Sequence, residues 1–274
     1  MLASFGGRYR VASKTASLAA GTRAGAPSRS WRADSRLVAS LGLLFGWEIL
    51  ARLHVVESIL LPAPSDVLRA GVANAGAYLS ALSVTAAEIL LAAAISTSVG
   101  VTLGILIGSS RVAMRIFGPL IDATFALPWV VFYPLAVVWF GIGSPSKVLF
   151  AGAHAILPIM LATAAAVSIV DQRYVLLARA LGATRRQMYL KILMPFALPQ
   201  IMGGLRVGLG LVVIGVIVGE MLSSFAGLGY MISHARETLD APNVYFGIVL
   251  GLLLAGGTNY AMSQAERRLG HWRA

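Results

Sequence analysis

Between Ala81 and Gly108 a single charged side chain, Glu88, interrupts a run of apolar and small residues long enough to cross a bilayer as a helix. In hydrocarbon no water satisfies the backbone, so such a run must close its hydrogen bonds within itself. Comparable runs cover residues 37–53, 117–140, 147–169, 202–222 and 243–263, and six spans leave both termini on one side. A hydrophobic fraction of 58%, only 12% charged residues and a mean hydropathy of +0.80 exclude an ordinary soluble domain. The expected fold is an all-α membrane protein: one six-span domain over residues 37–270, preceded by a basic tail, residues 1–36.

The first span is the weakest, because Glu48 and Arg52 lie in or beside it and need a helix neighbour or snorkelling. A cleaved signal peptide is the other reading of that segment, but no clear small-residue cleavage site follows. The tail reads as a flexible cytoplasmic segment; its Arg-rich, acid-poor composition is shared by organellar transit peptides.

The net charge of +11 has a topological origin. Lys and Arg number seven in the tail, two in residues 109–116, six in residues 171–206 and three after Gln264, against four in the alternate segments: Arg52, Arg69, Lys147 and Arg236. That asymmetry puts both termini in the cytoplasm and removes the need for a nucleic-acid partner. Glycines four apart, at Gly100, Gly104 and Gly108, Gly204 and Gly208, Gly215 and Gly219, and Gly247 and Gly251, let helix backbones approach closely. Pro119, Pro128, Pro134 and Pro158 are expected to kink spans three and four.

Enzymatic chemistry finds no foothold. The chain has no cysteine, no HExxH and no GxSxG, and its four histidines are scattered. None of its lysines completes a phosphate-cradling loop; Ser13 precedes Lys14 where that motif needs Gly. No catalytic residue, metal site or cofactor is therefore assigned to this chain. The ionisable residues within spans, Glu48, Glu88, Asp122, His154 and Glu220, are costly there and default to structural hydrogen bonds.

The polar interlude of residues 171–200 offers a partner the most. Leu177, Leu181, Met188 and Ile192 recur near helical spacing with Arg179, Arg185, Arg186 and Lys191 between them, which predicts a short amphipathic helix interrupted at Gly182 and ended by Pro195 and Pro199. The order Ala178, Gly182, Ile192, Met194-Pro195 resembles the EAA loop of ABC-importer permeases, with Leu176 and Leu177 standing in for the Glu and first Ala of that pattern. Leu61-Pro62-Ala63-Pro64, Trp139-Phe140-Gly141-Ile142-Gly143, Ser146-Lys147, Gly219-Glu220 and Gly227-Leu228-Gly229-Tyr230 are similar to the nitrate, sulfonate, taurine and bicarbonate branch.

The resemblance implies the type I permease fold in a bacterial inner membrane. It implies an ATPase-coupling loop containing Ala178, Arg179, Gly182, Ala183, Arg185, Arg186, Ile192 and Pro195. The implied partners are cytoplasmic ABC ATPases that use the ATP, a periplasmic or lipid-anchored substrate-binding protein, a second permease copy and the lipid bilayer. Glu220, Trp139 and Phe140 are the candidates for path or gate, Glu220 by gating or packing, since a carboxylate would be an odd ligand for an anion. A stand-alone secondary transporter or channel is the alternative, which has no need of an ATPase-docking loop.

Overall fold

The computed structural model describes residues 29–125, 127–169 and 172–269, all of whose regular elements are helical. The expectation for the tail falls largely on residues 1–28, outside the described residues; residues 29–36 already belong to α1 (Arg29–Arg52). Residues up to Gly46 and residues from Trp47 onward form two separate compact units.

In the larger unit the end of α1 leads into α2 (Pro64–Ala73), whose first position is a proline with no N–H to leave unpaired. Glu48 caps this helix from a distance: its carboxylate accepts from the Ser65 N–H (3.0 Å) and the Ser65 hydroxyl (2.8 Å). A carboxylate at a helix N-terminus also meets the positive end of the helix dipole. Arg52 then bridges Glu48 (3.0 Å) and Asp66 (3.2 Å), and the Trp47 indole donates to the Pro62 carbonyl (3.1 Å). The two charges that weaken the first span are thus accounted for by α2.

Four described helices have the length and apolarity to cross a membrane: α3 (Ala75–Gly108), α6 (Ser144–Ser168), α9 (Met194–Leu222) and α11 (Ala241–Leu269). At 1.5 Å per residue, the 29 residues of α9 extend about 44 Å. The expected third span is not a kinked helix but a broken one. It comprises α4 (Arg111–Phe125), a 3₁₀ turn Trp129–Phe132 and α5 (Tyr133–Phe140). Pro128 lies in the break and Pro134 in the first turn of α5, so two missing N–H donors a turn and a half apart interrupt the ladder. Pro158, by contrast, sits inside α6, which continues through it.

The core is built on α6, packed between α3 and α9. Ile89 and Ala92, Val148, Ala151 and Ala155, and Val212, Val213 and Val216 form one buried cluster. Glycines permit this approach. A Cβ at Gly104 would strike Thr163 and the Met160 carbonyl, and one at Gly215 would lie 2.9 Å from the Ala151 Cβ. The small-residue spacing therefore serves packing inside one chain.

Candidate functional site

Residues 172–195 form a helix–turn–helix at the end of α9 opposite α10 (Leu228–Glu237). The first arm is α7 (Gln172–Ala180) and the second starts as α8 (Arg185–Met188). Its turn is specified atom by atom. Gly182 adopts φ +76°, the Ala183 N–H donates to the Ala178 carbonyl (2.9 Å), and the Gly182 N–H donates to the Arg179 carbonyl (3.0 Å). This paired pattern is a Schellman C-cap, and the left-handed residue it needs is normally glycine. One residue later, the Thr184 N–H donates to Gln187 Oε1 (2.9 Å) and the Gln187 N–H to the Thr184 hydroxyl (3.3 Å), a reciprocal capping box that starts α8.

The helix does not end at Pro195 and Pro199. A π-helical turn, Tyr189–Leu193, runs directly into α9, and both prolines fall within the first two turns of that span. Pro195 has no N–H for the carbonyl four residues back, and the wider π turn precedes it. Ala178 is buried, and so are Met188 and Leu193, whereas Leu177 is 59% and Leu181 78% exposed. Arg179, Gly182, Arg186 and Pro195 are exposed and Ala183 is half-buried; the side chains of Arg185 and Ile192 lie outside the described residues. The segment presents leucines flanked by arginines, in a conformation set by its own hydrogen bonds.

At the other end of α9, Glu220 is 1% exposed and is not a free carboxylate. It accepts from the Gly229 N–H (2.7 Å) and from the Thr85 hydroxyl (2.8 Å), and Thr85 in turn accepts from the Leu228 N–H (2.8 Å). Together Glu220 and Thr85 satisfy the first two N–H groups of α10. The motif glycines make room for this. Gly227 has φ +103°, a Cβ there would collide with the Glu220 carboxylate, and one at Gly229 would strike the Ile217 carbonyl.

Beside it stands a buried pair made of Lys147, which charge counting puts among the outer flanks, and Glu88, which the sequence puts within a span. Lys147 Nζ lies 2.6 Å from Glu88 Oε1, both side chains 2% exposed. Ser144 donates to the same oxygen (2.6 Å), and Lys147 also donates to Ser224 Oγ (3.0 Å) in the segment between α9 and α10. Glu88 Oε2 is buried without a hydrogen-bond partner. Removing one member of such a pair leaves the other charge stranded, at a cost of about 3–5 kcal/mol. Tyr133, which docks α5 against Phe150 of α6 with rings 5.2 Å apart, donates to the Ser223 carbonyl (3.2 Å).

Trp139 and Phe140 stand at the far end of α5 from Tyr133, 68% and 46% exposed, rings edge to face at 6.4 Å. The residues expected to couple are thus brought together in one motif, while Glu220 belongs to a polar cluster with Thr85, Glu88 and Lys147. Thr184, Gln187 and Thr85 escaped the sequence reading, as did the buried pairing of Lys147. T-x-x-Q was visible as a capping signal, and a lysine near an apolar run invited a search for an acid partner. His154 stacks on Trp129 at 5.3 Å, and no group of three or more potential metal ligands occurs among the described residues.

Comparison with known proteins agrees with this architecture. The chain is 31% identical over 253 residues to the taurine transport system permease protein TauC of Escherichia coli, covering 88% of this chain and 92% of that one. It is 31% identical over 246 residues to the formylaminopyrimidine transport permease protein ThiX of Halalkalibacterium halodurans, covering 89% and 98%. It is 28% identical over 229 residues to the putative aliphatic sulfonates transport permease protein SsuC of Bacillus subtilis, covering 83% of each. Among solved structures, an inward-facing form of the MetNI methionine ABC transporter superposes with a TM-score of 0.62 at 20% identity, over 70% of this chain and 96% of that one. That likeness is one of fold. Residues 100–268 match the model of the binding-protein-dependent transport system inner membrane component, and the chain belongs to that family of ABC-importer permeases.

Proposed function

We propose that this permease forms the path for a small organic or inorganic anion, such as a sulfonate or nitrate, and is driven by separate ATPases through residues 171–200. ATP is bound by those partners and no cofactor by this chain. The observation that carries the coupling role is the self-capped helix–turn–helix of residues 172–195, which holds Leu177 and Leu181 exposed beside Arg179 and Arg186. A lever that transmits force must be stiff before its partner arrives, and paired caps at the turn supply that stiffness. Ala178 fixes the first arm, Gly182 and Ala183 the turn, Arg179, Arg185 and Arg186 meet acidic or carbonyl groups of the ATPase, and Ile192 and Pro195 belong to the lead into the span that the lever moves.

The broken third span fits a path-lining role. Irregular backbone at membrane depth is tolerated where protein or a water-filled cavity covers it. Leu127, Val130, Val131, Trp139 and Phe140 are all exposed in one copy. A second copy completes the wall, and Trp139 and Phe140 line the path between the two. In this reading α1 and the broken segment also cross the membrane, and the charge asymmetry favours the α7–α8 end and both termini facing the cytoplasm, with α10 on the outer side. A substrate-binding protein delivers solute there. The anion assignment follows the names of the taurine and aliphatic sulfonate relatives; the formylaminopyrimidine relative carries a different solute in its name, and our reading puts selectivity in the binding protein.

The test is co-expression with the candidate ATPase and binding protein in vesicles. The wild-type complex is expected to accumulate a labelled sulfonate or nitrate with ATP. The Leu177→Asp, Leu181→Asp variant is expected to reach the membrane and lose the ATPase on purification. Uptake by vesicles holding this chain alone, or ATPase retention by the variant, refutes the reading.

A further inference from the structure

We propose that Glu88 and Lys147 are positioning residues which, with Glu220 and Thr85, clamp α10 to the helices around it, so that α10 stays fixed through the transport cycle as an abutment and does not open as a lid. The proposal rests on the permease reading above and adds which part of the outer end stays still.

Every helix bordering α10 is tied to it or to the segment leading into it. From α9, Glu220 accepts the Gly229 N–H, and the Ser233 hydroxyl donates to the Met221 carbonyl (2.9 Å). From α3, Thr85 accepts from the Leu228 N–H and donates its hydroxyl hydrogen bond to Glu220. From α6, Lys147 holds Ser224, and Ser224 itself bridges to the Ala226 carbonyl (2.6 Å), bracing the approach to α10. Glu88, again on α3, fixes the ammonium that makes this tie. From α11, Gly247 admits the Ile232 side chain of α10.

Lifting α10 would take Gly229 and Leu228 from Glu220 and Thr85 and Ser224 from Lys147. Buried polar atoms without partners would remain, in a cluster that already contains one at Glu88 Oε2. A lid draws on weakly held structure, and α10 has the opposite character. A fixed α10 keeps the outer surface of the chain constant while other parts of the complex move.

The absence of native cysteine makes the test clean. A Cβ built at Gly247 lies 3.8 Å from the Ile232 Cβ, within the range that a disulfide requires. The Ile232→Cys, Gly247→Cys protein, assembled with its ATPase and binding protein, is expected to transport when oxidised within about twofold of its reduced form, because the bond joins elements that do not separate. A loss of about tenfold or more, reversed by reductant, overturns the fixed abutment.

The positioning role has its own readout, the rate of disulfide formation in the same background. Lys147→Met is expected to slow it by about fivefold or more, because α10 loses its tie while Glu88 is stranded. Lys147→Arg, which keeps the cation, should recover most of the rate. An unchanged rate in Lys147→Met refutes the role of Lys147. Cysteine-free complexes that transport nothing would refute the permease reading instead, and the disulfide rate would still decide the clamp.

Discussion

The carboxylate of Glu220 occupies the volume into which a side chain at Gly227 would have to project. Gly227 also holds φ +103°, outside what an L side chain adopts readily. Both facts bear on one residue, so Gly227→Ala is expected to cost about 2–4 kcal/mol, the sum of left-handed strain and displaced Glu220 contacts. Thermal unfolding of the purified protein in detergent, read as aggregation on heating, should shift down in Gly227→Ala. Unchanged unfolding would mean that Glu220 moves away freely.

Glycines within the spans divide by what faces them. Gly104 of α3 meets Thr163 and the Met160 carbonyl of α6, whereas Gly210 of α9 has open space where a Cβ would go. Gly104→Leu should abolish folded protein in the membrane, since backbone atoms cannot give way. Gly210→Ala should be neutral or stabilising by about 0.5–1 kcal/mol, through helix propensity alone. Expression yield and size-exclusion profiles of the two variants measure the contrast directly.

How far the sequence foretold these features depends on the range of the interactions that set them. The apolar runs of α3, α6 and α9 were legible because burial in lipid acts on each segment separately. Gly182 was legible as a turn because its left-handed conformation is a local demand. The start of α9 was misread because Pro195 and Pro199 look like terminators, yet Pro195 stands in the first turn, where proline is tolerated, and α9 continues through Pro199. The break in the third span was expected only as a kink, since two prolines near each other remove more of the ladder than either alone. Lys147 was placed among the outer flanks because charge counting treats a lysine beside an apolar run as one. Its partner Glu88 lies on another helix, and no local pattern shows that pairing.

Arg206, at the inner end of the fifth span, reaches α11, donating to Ser263 (3.1 Å) and pairing with Glu266. Both side chains of the pair are nearly half exposed, so solvent screens the attraction and Arg206→Ala should cost no more than about 1 kcal/mol. The loss should shrink further in high salt. Arg206→Glu puts two acids together and should cost more, and Arg206→Glu with Glu266→Arg should recover most of it. Thermal unfolding of the wild type, Arg206→Glu, Glu266→Arg and the double variant at low and high salt forms a double-mutant cycle. A coupling that salt leaves unchanged would contradict the half-exposed geometry.

Gly182 lets the fold of the turn be separated from its proposed use. A Cβ at this position meets nothing within 4 Å, so the demand on the residue is its φ of +76° alone. Asn and Asp tolerate that conformation better than other L residues, and the two have nearly the same shape. Gly182→Asn should therefore keep the turn, normal membrane levels and most of the transport, at a cost of about 1 kcal/mol. Gly182→Asp should reach the membrane equally well but place a negative charge among Arg179, Arg186 and the exposed Leu181, at the surface assigned to the ATPase. The expected outcome is ATP hydrolysis by the assembled complex that no longer responds to the loaded binding protein, with uptake reduced by about tenfold or more. Gly182→Val, β-branched and unable to hold the turn, should lose membrane protein as well. Equal uptake by Gly182→Asp and Gly182→Asn would show that this turn does not face the ATPase.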